Sequence, residues 1–216
     1  MKQTHQRFIP AAGHDLLLPL YDPLTVLLGF ARIRRGLLQR AKLEPGERVL
    51  DVGCGTGTLL VAVLEAHPKV EAVGLDPDPK ALARAERKLR RAGVSARLTQ
   101  GSASAMPFDA GRFGRVLSSF MFHHLDAPTQ QAMLSEAHRV LAPGGRLELM
   151  DFGGKHARGH GPLGRFRLMH AGLEEDVVTA SLRRAGFDNV RIAARDSSWF
   201  GPVVHYQAKR GPGMSS

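Results

Sequence analysis

From Glu47 onward, short apolar runs alternate with stretches in which apolar residues recur at helical spacing. The runs RVLDV (48–52), VEAVGLD (70–76), 95–99, RVLSS (115–119), RLELMD (146–151), 190–194 and 203–207 read as strands. Helices are expected from Thr58 to the break at Pro68, after Pro77 and Pro79 as far as Gly93, from Pro128 to the stop at Pro143, and over 173–185. In the second of these, Leu82, Ala85 and Leu89 share an inner face, with Arg84, Arg87, Lys88 and Arg91 directed away from it. Such alternation predicts an α/β fold, a parallel sheet covered by helices. Residues 1–45 precede this core and read as an N-terminal helical cap. A main domain follows over 46–210, with a weakly periodic, substrate-side insertion at 152–172, and a polar tail over 211–216.

The 216 residues suit one α/β domain, and 43% hydrophobic with 23% charged residues is a globular composition, not a disordered one. A single cysteine, Cys54, excludes an internal disulfide framework and any multi-cysteine metal site. No run reaches the ~20 apolar residues of a membrane span, and the apolar stretch 16–30 is broken by Pro19, Asp22 and Pro23. The first residues lack the apolar centre of a secretory signal, so the expected location is cytoplasmic. The formal net charge is +10, mostly from arginine scattered over several helices. Solvated helix faces account for such scatter, with nucleic acid or an anionic surface as the alternatives.

The chemistry is concentrated in DVGCGTG (51–57) and GLDPD (74–78). A strand that passes through glycines into a helix leaves a crevice at its carboxyl end, where backbone can approach a ligand. Asp76, ending the next strand, can accept both hydroxyls of a ribose. A Walker loop would need Gly-Lys-Ser/Thr, which is absent, and the dinucleotide pattern would need glycine where Thr58 stands. Asp51 at the foot of the loop is poor company for a pyrophosphate. It suits a ligand with an ammonium and no phosphate, and S-adenosylmethionine (SAM) is such a ligand.

These motifs resemble motif I and the ribose acid of the class I SAM-dependent methyltransferases, in particular small-molecule and quinone-type members. GSASAMPF (101–108) is similar to the family's G-D-A-x-x-L-P-F segment, VLSSFMFHHL (116–125) to its fourth strand and following turn, and RVLAPGG (139–145) to its R-V-L-x-P-G-G signature. The resemblance implies a Rossmann-like, doubly wound, mostly parallel seven-stranded sheet with an antiparallel C-terminal strand. It implies that Asp51, Gly53, Cys54, Gly55 and Gly57 form the pocket for the methionine end, Cys54 as a close-packed small residue in the loop. Asp76 would hold the ribose, Pro77, Ser102 and Ala103 the adenine, and Ser119 would close the site. Ser102 departs from the usual acid at the adenine position and gives up charge assistance there. Tyr21 resembles an aromatic that shields the cofactor from the N-terminal cap.

The cofactor, used as SAM and released as S-adenosylhomocysteine, supplies an electrophilic methyl group, so the protein must align an acceptor and exclude water. His123 and His124 after the fourth strand, with Asp151 at the end of the fifth, are candidates for a general base and its orienting acid. His156, His160 and His170 lie among Gly and Pro that give no rigid metal geometry, and no metal is expected. The expected acceptor is a small or lipid-like molecule under a greasy lid at 16–30, whose margin carries Arg32, Arg34 and Arg35. SSFM (118–121) lacks the Asn/Asp-Pro-Pro-aromatic sequence of amino-methylating DNA enzymes, and one Trp and two Tyr offer little for RNA stacking. Nucleic acid is therefore disfavoured, with RNA methylation and a non-catalytic SAM-binding module as the other readings. Peripheral membrane contact stays an option, and the chain is taken as a monomer or homodimer.

Overall fold

The computed structural model describes residues 30–153, 173–198 and 201–212. Seven strands, β1 (Arg48–Val52), β2 (Glu71–Asp76), β3 (Arg97–Gln100), β4 (Phe113–Ser119), β5 (Leu141–Phe152), β6 (Asp188–Ser198) and β7 (Gly201–Lys209), form one sheet in the order β3-β2-β1-β4-β5-β7-β6. The first five are parallel, and β7 runs antiparallel between β5 and β6. This is the Rossmann-like arrangement, and it puts the carboxyl ends of β1, β2, β4 and β5 along one edge, where the strand order reverses direction.

Side-chain alternation assigns the two faces. Leu50, Val52, Val116, Leu147 and Leu149 enter one core with α4 (Ala127–Val140) and α5 (Glu175–Arg184). Val49, Leu117, Met150 and Phe152 enter the other with α1 (Phe30–Ala41) and α2 (Thr58–Ala66). Local chemistry starts and stops the helices. Asp78 accepts from the Lys80 N–H at 2.8 Å, with Pro79 in the first turn of α3 (Pro79–Ala92). Gly93, at φ 68°, ends α3 in the left-handed region. Asp126 likewise accepts from the Thr129 N–H at 2.9 Å to open α4.

A row of buried polar side chains seats α1. Its stripe of Ile33, Leu37, Leu38 and Ala41 is buried. Its terminal carbonyls are taken in turn: Arg40 O by Gln207 Nε2 (3.3 Å), Ala41 O by Arg146 Nη2 (3.5 Å) and Lys42 O by Arg115 Nη2 (3.2 Å). Arg115 is itself buried and paired with Glu47 at 3.1 Å. Helix carbonyls left unpaired under protein would be costly, and these donors satisfy them.

Two expectations need correction. β5 starts at Leu141 and runs through Pro143-Gly144-Gly145, because the register shifts between Phe113–Leu141 and Arg115–Arg146 and absorbs the turn within the strand. Lys88 does not point away from the core: it reaches back to the glycine loop, as described below.

Candidate functional site

The loop between β1 and α2 is built against the end of β2. The N–H groups of Gly53 and Cys54 both donate to Leu75 O, at 2.8 and 3.0 Å. The Asp76 carboxylate accepts from Gly55 N at 2.8 Å through Oδ2 and from Asp78 N at 2.9 Å through Oδ1. Each oxygen keeps a second lone pair, so the acid is fixed in place yet can still accept a diol. Burial raises the Asp76 pKa, and the two backbone donors oppose that rise. Gly57 has φ 77°, and a Cβ there would lie 2.9 Å from the Ala85 Cβ, so glycine lets α2 start hard against α3. At Gly55, φ 52°, a Cβ would meet open space. Met121 packs over Gly53.

Lys88 was not legible as part of this site. From α3 its Nζ donates to Thr58 Oγ1 at 2.6 Å and to Thr56 Oγ1 at 3.0 Å, tying the loop to the neighbouring helix. Hydrogen bonds from a charged donor are worth about 1.5–3 kcal/mol. Lys88→Met is expected to lower stability by about 1.5 kcal/mol in urea melts and to weaken any ligand held by the loop several-fold; an unchanged midpoint would refute the clamp.

Asp51 is 1% exposed, and neither carboxylate oxygen has a hydrogen-bond partner. Burial, and secondarily the Asp76 charge, push its pKa up to about 8. A buried acid left this bare calls for a cationic partner from outside the chain. An ammonium group at the foot of a loop with an unobstructed glycine fits that demand. Cys54 is buried against Gly74, and burial with the nearby Asp51 and Asp76 charges holds its thiol well above the usual range. It is a packing residue, not a nucleophile.

Beyond β3, Gly101 N donates to Asp76 O at 3.2 Å, and Gln100 Nε2 to Pro77 O at 3.2 Å. Ser102 Oγ accepts from Ser104 N at 3.2 Å and shares a 2.8 Å hydrogen bond with Ser104 Oγ, closing a local turn. Ala103 packs on the core. Arg139 pins this segment from α4, donating to Phe108 O (2.8 Å) and Met106 O (3.0 Å), while Glu136 accepts from Met106 N at 2.7 Å. The Arg139 guanidinium holds the Glu136 carboxyl below its ordinary range.

At the ends of β4 and β5 the structure joins His123 to Asp151. Asp151 is fully buried and accepts from Phe152 N at 2.7 Å and His123 N at 3.0 Å; its Oδ1 lies 2.6 Å from His123 Nδ1. His124 stacks on the His123 ring, centroids 3.9 Å apart. Phe120, next to Ser119, holds φ 54°, a strained conformation for a bulky residue, and its N–H donates to Met150 O at 2.9 Å. It brings the Phe120 ring to 5.0 Å from Phe152, which is 5.3 Å from His123. An aromatic wall therefore stands beside an imidazole oriented by a carboxylate.

Tyr21, the apolar stretch 16–29, and His156, His160 and His170 lie outside the described residues. Among the described residues no group of His, Cys, Asp and Glu could hold a metal ion, and no helix is long and apolar enough to cross a membrane.

Residues 49–145 match the family described as "Methyltransferase domain". The chain is 40% identical over 137 residues to a demethylmenaquinone methyltransferase of Thermus thermophilus, covering 62% of this chain and 61% of that protein. It is 38% identical over 137 residues to one of Deinococcus radiodurans, covering 62% and 56%. It thus spans about three fifths of the length of these relatives. Among solved structures, the cyclase SpnF superposes with a TM-score of 0.73 at 18% identity over 84% of this chain and 82% of the other, a likeness of fold.

Proposed function

Because residues 49–145 match a methyltransferase-domain family and the loop motifs resemble those of the class I SAM-dependent enzymes, we propose that this chain moves the methyl group of SAM to a small, lipid-like acceptor, of the quinone kind that the demethylmenaquinone relatives are named for, taken in its reduced, hydroxylated form. The observation that carries the proposal is the buried Asp51 carboxylate without a partner, beside an Asp76 already oriented for a diol.

The site residues divide the work, with 46–210 taken as the methyltransferase domain. Asp51 would hold the amino group of the cofactor, and the loop of Gly53, Cys54, Gly55 and Gly57, whose N–H groups are spent within the protein, would leave room for the methionine end to approach closely. Asp76 would accept the ribose hydroxyls. Pro77, Ser102 and Ala103 would flank the adenine, with Ser119 and Tyr21 closing the site. When bound, the cofactor supplies a methyl group on a cationic sulfur. The Phe120–Phe152 wall would hold an apolar acceptor in line with it. With Nδ1 on Asp151, His123 can take the acceptor hydroxyl proton at Nε2, and Asp151 stabilises the resulting imidazolium. Loss of that proton raises electron density on the acceptor oxygen and on the ring carbon beside it. A lipid-like acceptor would bring the protein to a membrane surface.

Calorimetric titration with SAM and S-adenosylhomocysteine, followed by labelled-methyl transfer to a reduced demethylnaphthoquinone, tests the proposal. Micromolar binding of both and label in the acceptor are expected. Binding of NAD or ATP in their place would overturn the proposal.

A further inference from the structure

Where α1 ends, a cavity of about 290 Å³ opens between the helix and the last two strands. Gln39, Arg40 and Lys42 line it from above, Arg191 and Gln207 from the sheet. No carboxylate faces it among the lining residues. Gln207 pairs across the strands with Glu148, three residues before Asp151, so the cavity lies roughly 10 Å down β5 from the His123–Asp151 pair.

The donors around this cavity exceed the acceptors. Gln207 is buried and its amide is used up: Oε1 accepts from Arg191 Nε (3.0 Å) and Nη2 (2.6 Å), while Nε2 donates to Glu148 Oε1 (3.0 Å) and Arg40 O (3.3 Å). Arg191 is thereby oriented by a neutral partner and keeps an uncompensated charge. Arg40 Nη2 lies 3.2 Å from His205 and 3.6 Å from Asp196, but its Nε is buried and donates to nothing. Lys42 has no ion partner among the described residues. The nearby acids are already engaged, Asp196 by Arg40 and His205, and Glu148 by the charges of Arg146, Arg115 and Arg40 besides its Gln207 hydrogen bond. The helix carbonyls that would repel an anion are covered by Gln207, Arg146 and Arg115. The pairing of β6 with β7 also shifts register between Asp188 and Arg191 and between Ile192 and Ala194. Irregularities of this kind re-aim side chains at an edge strand.

We propose that this cavity is a binding site for a small oxyanion, a phosphate or carboxylate group held by Arg191, Lys42 and the Arg40 guanidinium. Guanidinium forks and an ammonium are the donors that recognise such groups. The occupant bridges the end of α1 to the edge hairpin and so steadies that helix.

The test is a titration of the whole chain with inorganic phosphate, phenyl phosphate and citrate at constant ionic strength set with sodium chloride, read by calorimetry and thermal melting. No methyl donor is needed, so the outcome is separable from that of the methyl-transfer proposal. Saturable one-to-one binding is expected, with affinity at least fivefold weaker in Arg191→Ala and in Lys42→Glu, and unchanged in Arg87→Ala on α3. Arg191 and Lys42 are exposed, so both variants are expected to fold. Preference for phenyl phosphate over phosphate would point to a phosphorylated metabolite, the reverse to the free ion, and preference for citrate to a carboxylate. Absence of saturation, or equal binding by wild type and both variants, would overturn the site.

Discussion

Asp51→Asn raises the melting temperature of the free protein and removes its response to SAM. In the folded chain the acid's pKa rises from 3.8 to about 8, burial being the main cause. A raised carboxyl pKa means that stability is fully present below the unfolded value and falls as pH climbs from about 4 to about 8, then levels off. At pH 7 the folded chain must keep a proton that the unfolded chain has lost, at a cost of at most about 4 kcal/mol. An asparagine amide would also lack partners there, so the recovered stability is smaller, and a rise of about 4 °C is expected for a chain of this size. Binding runs the other way. Losing one member of a buried ion pair typically costs about 3–5 kcal/mol, a loss of more than about 100-fold in SAM affinity. The wild type, measured between pH 6 and 7 where the ligand's amino group is still protonated, binds more weakly at the lower pH by up to about tenfold and releases a proton on binding. The variant shows neither effect. A variant that is less stable and binds SAM normally would show that Asp51 merely shapes the turn.

His123→Ala is expected to lower kcat by about 10²- to 10³-fold on a hydroxylated acceptor, with the SAM Kd unchanged within a factor of about two. The split follows from position. His123 sits beyond the β4 end, joined to Asp151, while the proposed cofactor contacts, Ser119 and Tyr21 apart, come from β1, β2 and the loop after β3. Loss of the acidic limb of the pH–rate profile in His123→Ala marks proton transfer, which a packing role would leave in place. His124→Ala, removing the ring that stacks on His123, should cost less than tenfold. Asp151→Asn should lower kcat nearly as far as His123→Ala, because the 2.6 Å partner that orients the ring loses its charge. Near-normal turnover in His123→Ala at every pH would remove the general base.

The glycine-loop side of the candidate site was legible because its signals are local. Glycines, an acid before them and an acid ending the next strand are adjacent in sequence, and β1 occupies the expected 48–52. The pairing of His123 with Asp151 was visible only as two strand ends that the sheet order makes neighbours, and the backbone had to choose between the two histidines. Lys88 was invisible as a site residue, and Arg139, though it opens the RVLAPGG signature, carried no sign of its role. Both stand among helix cations of ordinary appearance, and only three-dimensional proximity turns one into a clamp on Thr58 and the other into a pin for residues 106–108. Arg115, Glu148 and Gln207 hide differently. Buried polar groups within strands read as a solvated face, yet here they receive the end of α1. Phe120 gives no sign of its left-handed backbone, since that conformation is imposed by the packed strand ends and not by the residue.

The placement of β7 governs how the molecule can be made. Its residues, 201–209, fill the gap between β5 and β6. Until the ribosome has released that segment, β5 has an open edge and the nascent chain holds β6 with nothing to pair it to. Completion of the sheet beyond β5 therefore waits for synthesis to pass Lys209, and until then the β5 edge is open to pairing with another chain.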